Sequence, residues 1–289
     1  MCDNHSLDDM LDYELKQGLS RRQFGALTVG AGLVAMLPPV ANAAETKDSE
    51  VEIKTPAGTC DAYFVHPASG ASAAVLVWPD IFGLRPAFKQ MGKRLAESGY
   101  SVLVVNPFYR TKKAPTFESM DFSDQANRQK LFALAGSLTP DVQVADAKAF
   151  VSWLDSQPAV DKKRKVGTTG YCMGGPITMR TAASLPDRIG AGASFHGGGL
   201  VTDKPDSPHL LVPKMKAQYL FAIAQNDDQQ QPEAKNVLKE TFAKAKLNAE
   251  VEVYPAMHGW CPPDSRVYDK DQAEKAWSRM LALFKTALA

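Results

Sequence analysis

The chain is poor in the features that would commit it to several large classes of protein. Cysteine occurs only four times in 289 residues. No Cys-x-x-Cys pair and no zinc-type Cys/His spacing is present, which excludes a disulfide-built scaffold and a structural metal domain. Charge of one sign is equally scarce, since 33 Lys and Arg stand against 32 Asp and Glu. The two signs are interspersed, so the basic face that a nucleic-acid binder needs is missing, and no nucleic-acid partner is expected. The one dense basic run, Lys162-Lys163-Arg164-Lys165, reads as a solvated turn before a strand. No apolar run reaches the roughly 20 residues needed to cross hydrocarbon. Repeats and low-complexity tracts are absent as well. What is there, 45% apolar and 22% charged side chains, is the balance of a globular body with a sizeable core.

The N-terminal end has its own grammar. Ser20-Arg21-Arg22-Gln23-Phe24 precedes an apolar stretch from Gly25 to Leu37, then Pro38-Pro39 and Ala41-Asn42-Ala43. An arginine pair, a short apolar region and an Ala-x-Ala cleavage site make an export signal, and the paired arginines resemble the twin-arginine type. Residues 1–43 are therefore expected to be a leader cut after Ala43, with the export machinery as its partner and a periplasmic or otherwise exported product. Its apolar run of about 13 residues is too short for stable membrane insertion. Residues 44–289 then form a single domain carrying 30 basic and 27 acidic side chains. Cys60, Cys172 and Cys261 remain, an odd number that leaves at least one thiol unpaired. A Cys60–Cys261 disulfide stays open.

Alternation over Val51–Pro56 and Cys60–His66 predicts a hairpin turning at Pro56-Ala57-Gly58. Continuous apolar runs at Ala73–Trp78 and Ser101–Val105 predict strands covered on both faces, separated by a helix over Phe88–Ser98 that Gly99 ends. A helical stripe over Asp141–Asp155 leads into a strand at Lys165–Gly170 and a helix at Pro176–Ser184. Strands at Ile189–Ser194, Gln218–Ala224 and Ala249–Tyr254 follow, with helices at Pro232–Ala245 and Gln272–Leu288. This alternation predicts an α/β fold with a mostly parallel sheet and helices on both faces. The polar, weakly periodic segment Thr111–Pro140 is a candidate lid.

Chemistry concentrates at Gly170-Tyr171-Cys172-Met173-Gly174-Gly175. The run sits between a predicted strand and a predicted helix, where small neighbours let the backbone double back and push the thiol outward, as in a nucleophile elbow. The alternative is a buried cysteine in a glycine-rich turn. Chain order favours the elbow, because Asn226-Asp227-Asp228 follows one later strand and His258 follows the last, the order found in α/β-hydrolases. An ordinary thiol is mostly protonated at neutral pH, so an imidazole must take its proton or hold the thiolate as an ion pair. His258 is the candidate for that role, with Asp227 as the carboxylate that orients it and Asp228 as the alternative. The Met173 amide is one candidate oxyanion donor, and a second is expected around Asp80-Ile81-Phe82-Gly83.

These motifs resemble the dienelactone hydrolase family, a cysteine-dependent branch of the α/β-hydrolases. The resemblance runs from about Val51 to Leu288 and is carried by Gly170–Gly175, Asp80–Gly83, Ala224-Gln225-Asn226-Asp227 and His258-Gly259. It implies hydrolysis of a small ester or lactone (carboxymethylenebutenolidase type) through an acyl-cysteine, without metal or organic cofactor. It also implies that Asp80 stands where the family has a glutamate that switches partners with the thiol, and that the Ile81 amide joins the oxyanion hole. Arg110 would bind a substrate carboxylate. The family's second arginine, four positions after the histidine, is replaced by Pro262, and Arg266 is out of register.

Other residues carry weaker signals. His196, in His196-Gly197-Gly198-Gly199, reads as pocket lining or as part of a glycine-rich turn, Trp260 as a pocket wall or core packing, and Tyr109 as part of an apolar substrate site. Three further readings stay open: a non-catalytic small-molecule binder on a hydrolase fold, a thioesterase or general carboxylesterase, and a redox thiol, for which no resolving cysteine is evident.

Overall fold

The structure is a computed structural model that describes residues 8–9, 37–117 and 125–289. The expected leader motif at Arg21-Arg22 and the middle of the expected lid lie outside the described residues.

The hairpin forms as β1 (Thr46–Thr55) and β2 (Gly58–Pro67), paired from Thr55↔Gly58 outward. It extends further than the alternation suggests, because the polar first half of β1 is held by the ladder to β2. Next come β3 (Ala74–Trp78), α1 (Pro86–Glu97) and β4 (Ser101–Val105), with every residue of both strands buried. Within the lid segment, α2 (Gln125–Ser137) forms, so this stretch is partly helical rather than open loop. Thr139 then caps α3 (Pro140–Ser156), its hydroxyl accepting from the Val142 amide. β5 (Val166–Tyr171), α4 (Gly174–Ser184) and β6 (Ile189–Phe195) follow. The remainder is β7 (Gln218–Ala224), a short α5 (Gln225–Gln230), α6 (Ala234–Lys244), β8 (Ala249–Tyr254) and α7 (Lys270–Ala287). The Asp269 carboxylate caps α7 through the Gln272 amide.

The strands make one sheet in the order β1-β2-β4-β3-β5-β6-β7-β8. Only the two pairings that β2 makes, with β1 and β4, are antiparallel. Alternation along β3 shows how the sheet divides its cores: Ala74, Leu76 and Trp78 join the cluster under α3, α4 and α6, while Val75 and Val77 join the one under α1 and α7. Covering on both faces is what an unbroken apolar strand requires. Cys60 belongs to the first cluster and Cys261 to the second, and both thiols are free. The sheet stands between them, so the open disulfide does not form.

Parallel strands all point their carboxyl ends to one edge, and the loops that follow β3, β5, β7 and β8 gather there. Among the described residues, no helix is long and apolar enough to cross a membrane.

Candidate active site

Cys172 leaves the end of β5 with φ of 51°, in the left-handed region that a non-glycine residue rarely enters. The surrounding turn explains how that is tolerated. A Cβ on Gly170 would lie 2.1 Å from the Gly174 carbonyl oxygen, and one on Gly174 would lie 2.3 Å from the Trp78 carbonyl oxygen. Both contacts are with backbone, which cannot swing aside, so the glycines two before and two after Cys172 let the chain fold against itself and against the end of β3. The Cys172 amide is tied to the Phe195 carbonyl at 3.0 Å, and the Gly175 amide donates back to the Cys172 carbonyl at 3.0 Å. Cys172 is thus held at a fixed point at the start of α4.

His258 arrives from the loop after β8. Its backbone N–H donates to the Asn226 side-chain oxygen at 2.8 Å, which docks that loop onto the end of β7. Its ring Nδ1 lies 2.9 and 2.8 Å from the two oxygens of Asp227. A carboxylate can only accept, so Nδ1 carries the proton and Nε2 is the free base of the neutral ring. Nε2 is buried and has no hydrogen-bond partner among the described residues. With Nδ1 committed to Asp227, Nε2 is the nitrogen available to Cys172, whose charge acts on the ring. Burial by itself would lower the pKa of His258, but the negative charges of Asp227 and Cys172 outweigh it and push the value well above 6.5. The shift favours the cationic imidazole beside the Asp227 carboxylate.

Of the two aspartates proposed from sequence, Asp228 is taken by Lys235, whose Nζ donates to both carboxylate oxygens at 2.8 and 2.7 Å. Asp227 alone faces the histidine. Adjacent side chains of a helix point about 100° apart, and nothing in Gln225–Gln230 has the apolar period that would have revealed this helix.

The Met173 and Ile81 amides donate to no partner among the described residues. Gly174 lies against the Trp78 and Pro79 carbonyls, which brings the loop bearing Ile81 beside the elbow.

Asp80 corrects one expectation. Both its oxygens accept from Arg85, at 2.7 and 2.9 Å, and one also accepts from the Phe82 amide at 3.0 Å. Its carboxylate is committed to this clamp rather than to the thiol. Arg85 in turn reaches Asp264, at 2.6 and 2.9 Å, so one buried guanidinium joins the loop after β3 to the loop that carries His258. Burial would lower the pKa of Arg85, but the two carboxylates reverse that and raise it. For Asp80, burial dominates over Arg85 and raises its pKa above the ordinary value. Arg85 went unseen in the sequence. Its only signal is an arginine five positions after Asp80, at the start of a helix, and Asp264 has no signal at all.

Arg110 and Tyr109 are both engaged by Asp146. Two nitrogens of Arg110 donate to Asp146 at 2.7 Å each, and its guanidinium stacks 4.5 Å from the Tyr109 ring centroid. Tyr109 itself donates to Asp146 at 2.8 Å and pairs with Thr55 at 2.6 Å. The bidentate pairing with buried Asp146 occupies one edge of the Arg110 guanidinium. The pair locks α3 and β1 to the end of β4.

His196 packs behind His258, and Trp260 packs behind His196. The His196 ring packs 5.1 Å from His258 and 5.0 Å from Trp260, and Trp260 stacks on Tyr254 at 5.4 Å. Both are fully buried. Burial, together with the charge of His258, holds His196 well below its ordinary pKa, so it stays neutral. Trp260 is core packing behind His196, rather than a wall that substrate touches.

With the geometry in place, comparison with known proteins adds the family context. The family model described as "Dienelactone hydrolase family" matches residues 60–288. A Methylorubrum extorquens protein named "Putative carboxymethylenebutenolidase" is 30% identical over 292 residues, covering 96% of each chain. "Carboxymethylenebutenolidase 1" of Cupriavidus pinatubonensis is 26% identical over 227 residues, covering 78% of this chain and 91% of its own. Among solved structures, a dienelactone hydrolase-like promiscuous phosphotriesterase from metagenomic libraries superposes with a TM-score of 0.68 at 23% identity, covering 84% of this chain and 99% of that one. At that identity the likeness speaks for the fold alone.

Proposed function

The chain belongs to the dienelactone hydrolase family, and from that premise we propose that it hydrolyses small esters or lactones, with Cys172 as nucleophile, His258 as acid–base and Asp227 as the orienting carboxylate. One observation carries the reading: Asp227 holds Nδ1 of His258, an imidazole on which the charge of Cys172, standing on the elbow at φ of 51°, also acts.

The steps follow from that arrangement. The thiolate forms a bond to the carbonyl carbon, and the displaced electron pair collects on oxygen. The Met173 and Ile81 amides receive this oxyanion, aided by the positive end of α4. Collapse restores the carbonyl and breaks the bond to the alkoxide, which takes the proton held at His258 Nε2. Nε2 is then free to remove a proton from water, and the resulting attack on the thioester releases the acid and regenerates the thiolate. Asp227 keeps the imidazole in the tautomer that presents Nε2 and stabilises its charged form.

Cys172→Ala is expected to abolish turnover of p-nitrophenyl acetate while the thermal midpoint stays near that of the wild type, and mass spectrometry of the wild type mixed with the activated ester shows acetyl on the Cys172 peptide. Full activity of the variant removes Cys172 from the mechanism, and stable ligand binding without turnover or acylation returns the chain to a binding role.

We further propose that residues 1–43 direct export, a reading supported by Arg21-Arg22, the short apolar stretch and Ala41-Asn42-Ala43. The exported protein is expected to begin at Ala44, which N-terminal sequencing checks.

A further inference from the structure

Cys172 and His258 are only 4% and 2% exposed, so a substrate reaches the thiol only when something covering it moves. A cavity of about 400 Å³ beside the elbow shows which element that is. It meets the site at Met173 and Asp227, and its walls include α2, at Ala135, and α5, at Gln230. Of the thirteen residues of α2, only Leu131 and Ala135 are buried. An element with so few buried side chains opens at low cost.

The N-terminal segment grips both walls. The Asp8 carboxylate accepts from Arg128 Nη1 at 2.8 Å. Arg128 stands three residues before Leu131 and seven before Ala135, the spacing of one helix face, so α2 is held on the side that it turns to the body. The next residue, Asp9, accepts from Asn226 Nδ2 at 3.1 Å and from Gln230 Nε2 at 3.2 Å, both on α5. Gln230 lines the cavity, and Asn226 is the side chain that docks the His258 loop. Consecutive residues lie about 3.8 Å apart along the chain, so two adjacent carboxylates tie α2 to α5 with no slack between them.

The other end of the expected leader is tied down as well. Leu37 packs against the core between α1 and α7, and the Ala44 amide donates to the Glu97 carbonyl at 2.9 Å. An exposed ion pair is weak and screened by salt, but one made within a chain acts at high effective concentration.

We propose that Asp8 and Asp9 form an autoinhibitory strap, which closes α2 onto α5 over the catalytic pair and keeps the full chain latent until residues 1–43 are removed. This adds regulation to the hydrolase reading above and rests on it for its activity readout.

The full chain is compared with its Asp8→Ala/Asp9→Ala variant. The variant is expected to raise kcat/KM for p-nitrophenyl acetate by roughly three- to thirty-fold, the range of one exposed ion pair and two hydrogen bonds. Iodoacetamide alkylation of Cys172, which needs access but no turnover, should accelerate by a similar factor. Salt at 0.5 M should speed the wild type and leave the variant nearly unchanged. Arg128→Ala reproduces the effect of Asp8→Ala without adding to it, and the exchange Asp8→Arg with Arg128→Asp restores latency, which a merely structural role for either residue would not do. The processed protein beginning at Ala44 is expected to match the double variant, and one as slow as the full chain overturns release by cleavage. Ester hydrolysis at equal rates in the full chain and the variant overturns the strap and leaves the hydrolase reading standing. Faster alkylation in the variant without ester hydrolysis in either does the reverse. A variant slower than the wild type in both assays also refutes the strap, since Asp9 would then support the site through Asn226.

Discussion

Adding one methyl group at Gly174 tests whether the elbow and the oxyanion loop work as a single rigid unit. An alanine Cβ there would stand 2.3 Å from the Trp78 carbonyl oxygen and 2.9 Å from that of Pro79. Ordinary contact begins near 3.4 Å, so the two backbones must separate by roughly 1 Å. Neither side yields cheaply, since β3 is hydrogen-bonded to a strand on each side and α4 is packed against β5 and β6. Overpacking of this kind costs about 1–3 kcal/mol. In a domain of this size each kcal/mol lowers the thermal midpoint by roughly 2–4 °C. The larger consequence is functional, because the displaced carbonyls lead directly into Ile81. A misplacement near 1 Å reduces a positioned reaction by about a hundred-fold. Gly174→Ala is therefore expected to lower kcat for p-nitrophenyl acetate on that scale. Iodoacetamide alkylation of Cys172 involves no oxyanion, so its rate should stay within about three-fold of wild type, isolating the loss to the oxyanion donors. A variant with kcat within two-fold of wild type and an unmoved midpoint would refute the argument.

Asp227→Asn is expected to lower kcat by roughly 10²–10⁴-fold through loss of the imidazole's orientation, while Asp228→Asn, which only frees Lys235, stays near wild type; equal effects would reject the assignment. The ion pair also sets a pH dependence of stability. His258 has a raised pKa when folded, so its contribution is full below about pH 6.5 and fades as pH rises through the folded value. In a Cys172→Ala background, where only Asp227 supports the charge, urea denaturation should show Asp227→Asn most destabilising near pH 6 and progressively less so toward pH 9; a gap that widens with pH contradicts the sign. Arg85→Lys keeps a charge between Asp80 and Asp264 but loses the planar fork that grips both. Ester hydrolysis should fall by roughly ten-fold with Cys172 alkylation little changed, whereas a parallel fall in both rates would mean that the clamp supports the thiol instead.

The alternation of apolar strands with helical stripes is written locally, and the sequence by itself determined the doubly covered sheet, the elbow at Cys172 and the order in which thiol, carboxylate and histidine appear. Those features depend on neighbours within a few residues: the period of the strand, the small residues beside a sharp turn, the loop that must follow a strand end. Which aspartate faces His258 depends instead on an orientation within a six-residue helix that has no apolar period. The partners of Asp80 and Arg110 could not be read either, because charges pair through space: Arg85 meets Asp264 across 179 residues, and Arg110 meets Asp146 across 36. A charged side chain leaving water takes whichever opposite charge the packed fold brings near, and only the tertiary structure decides which one that is.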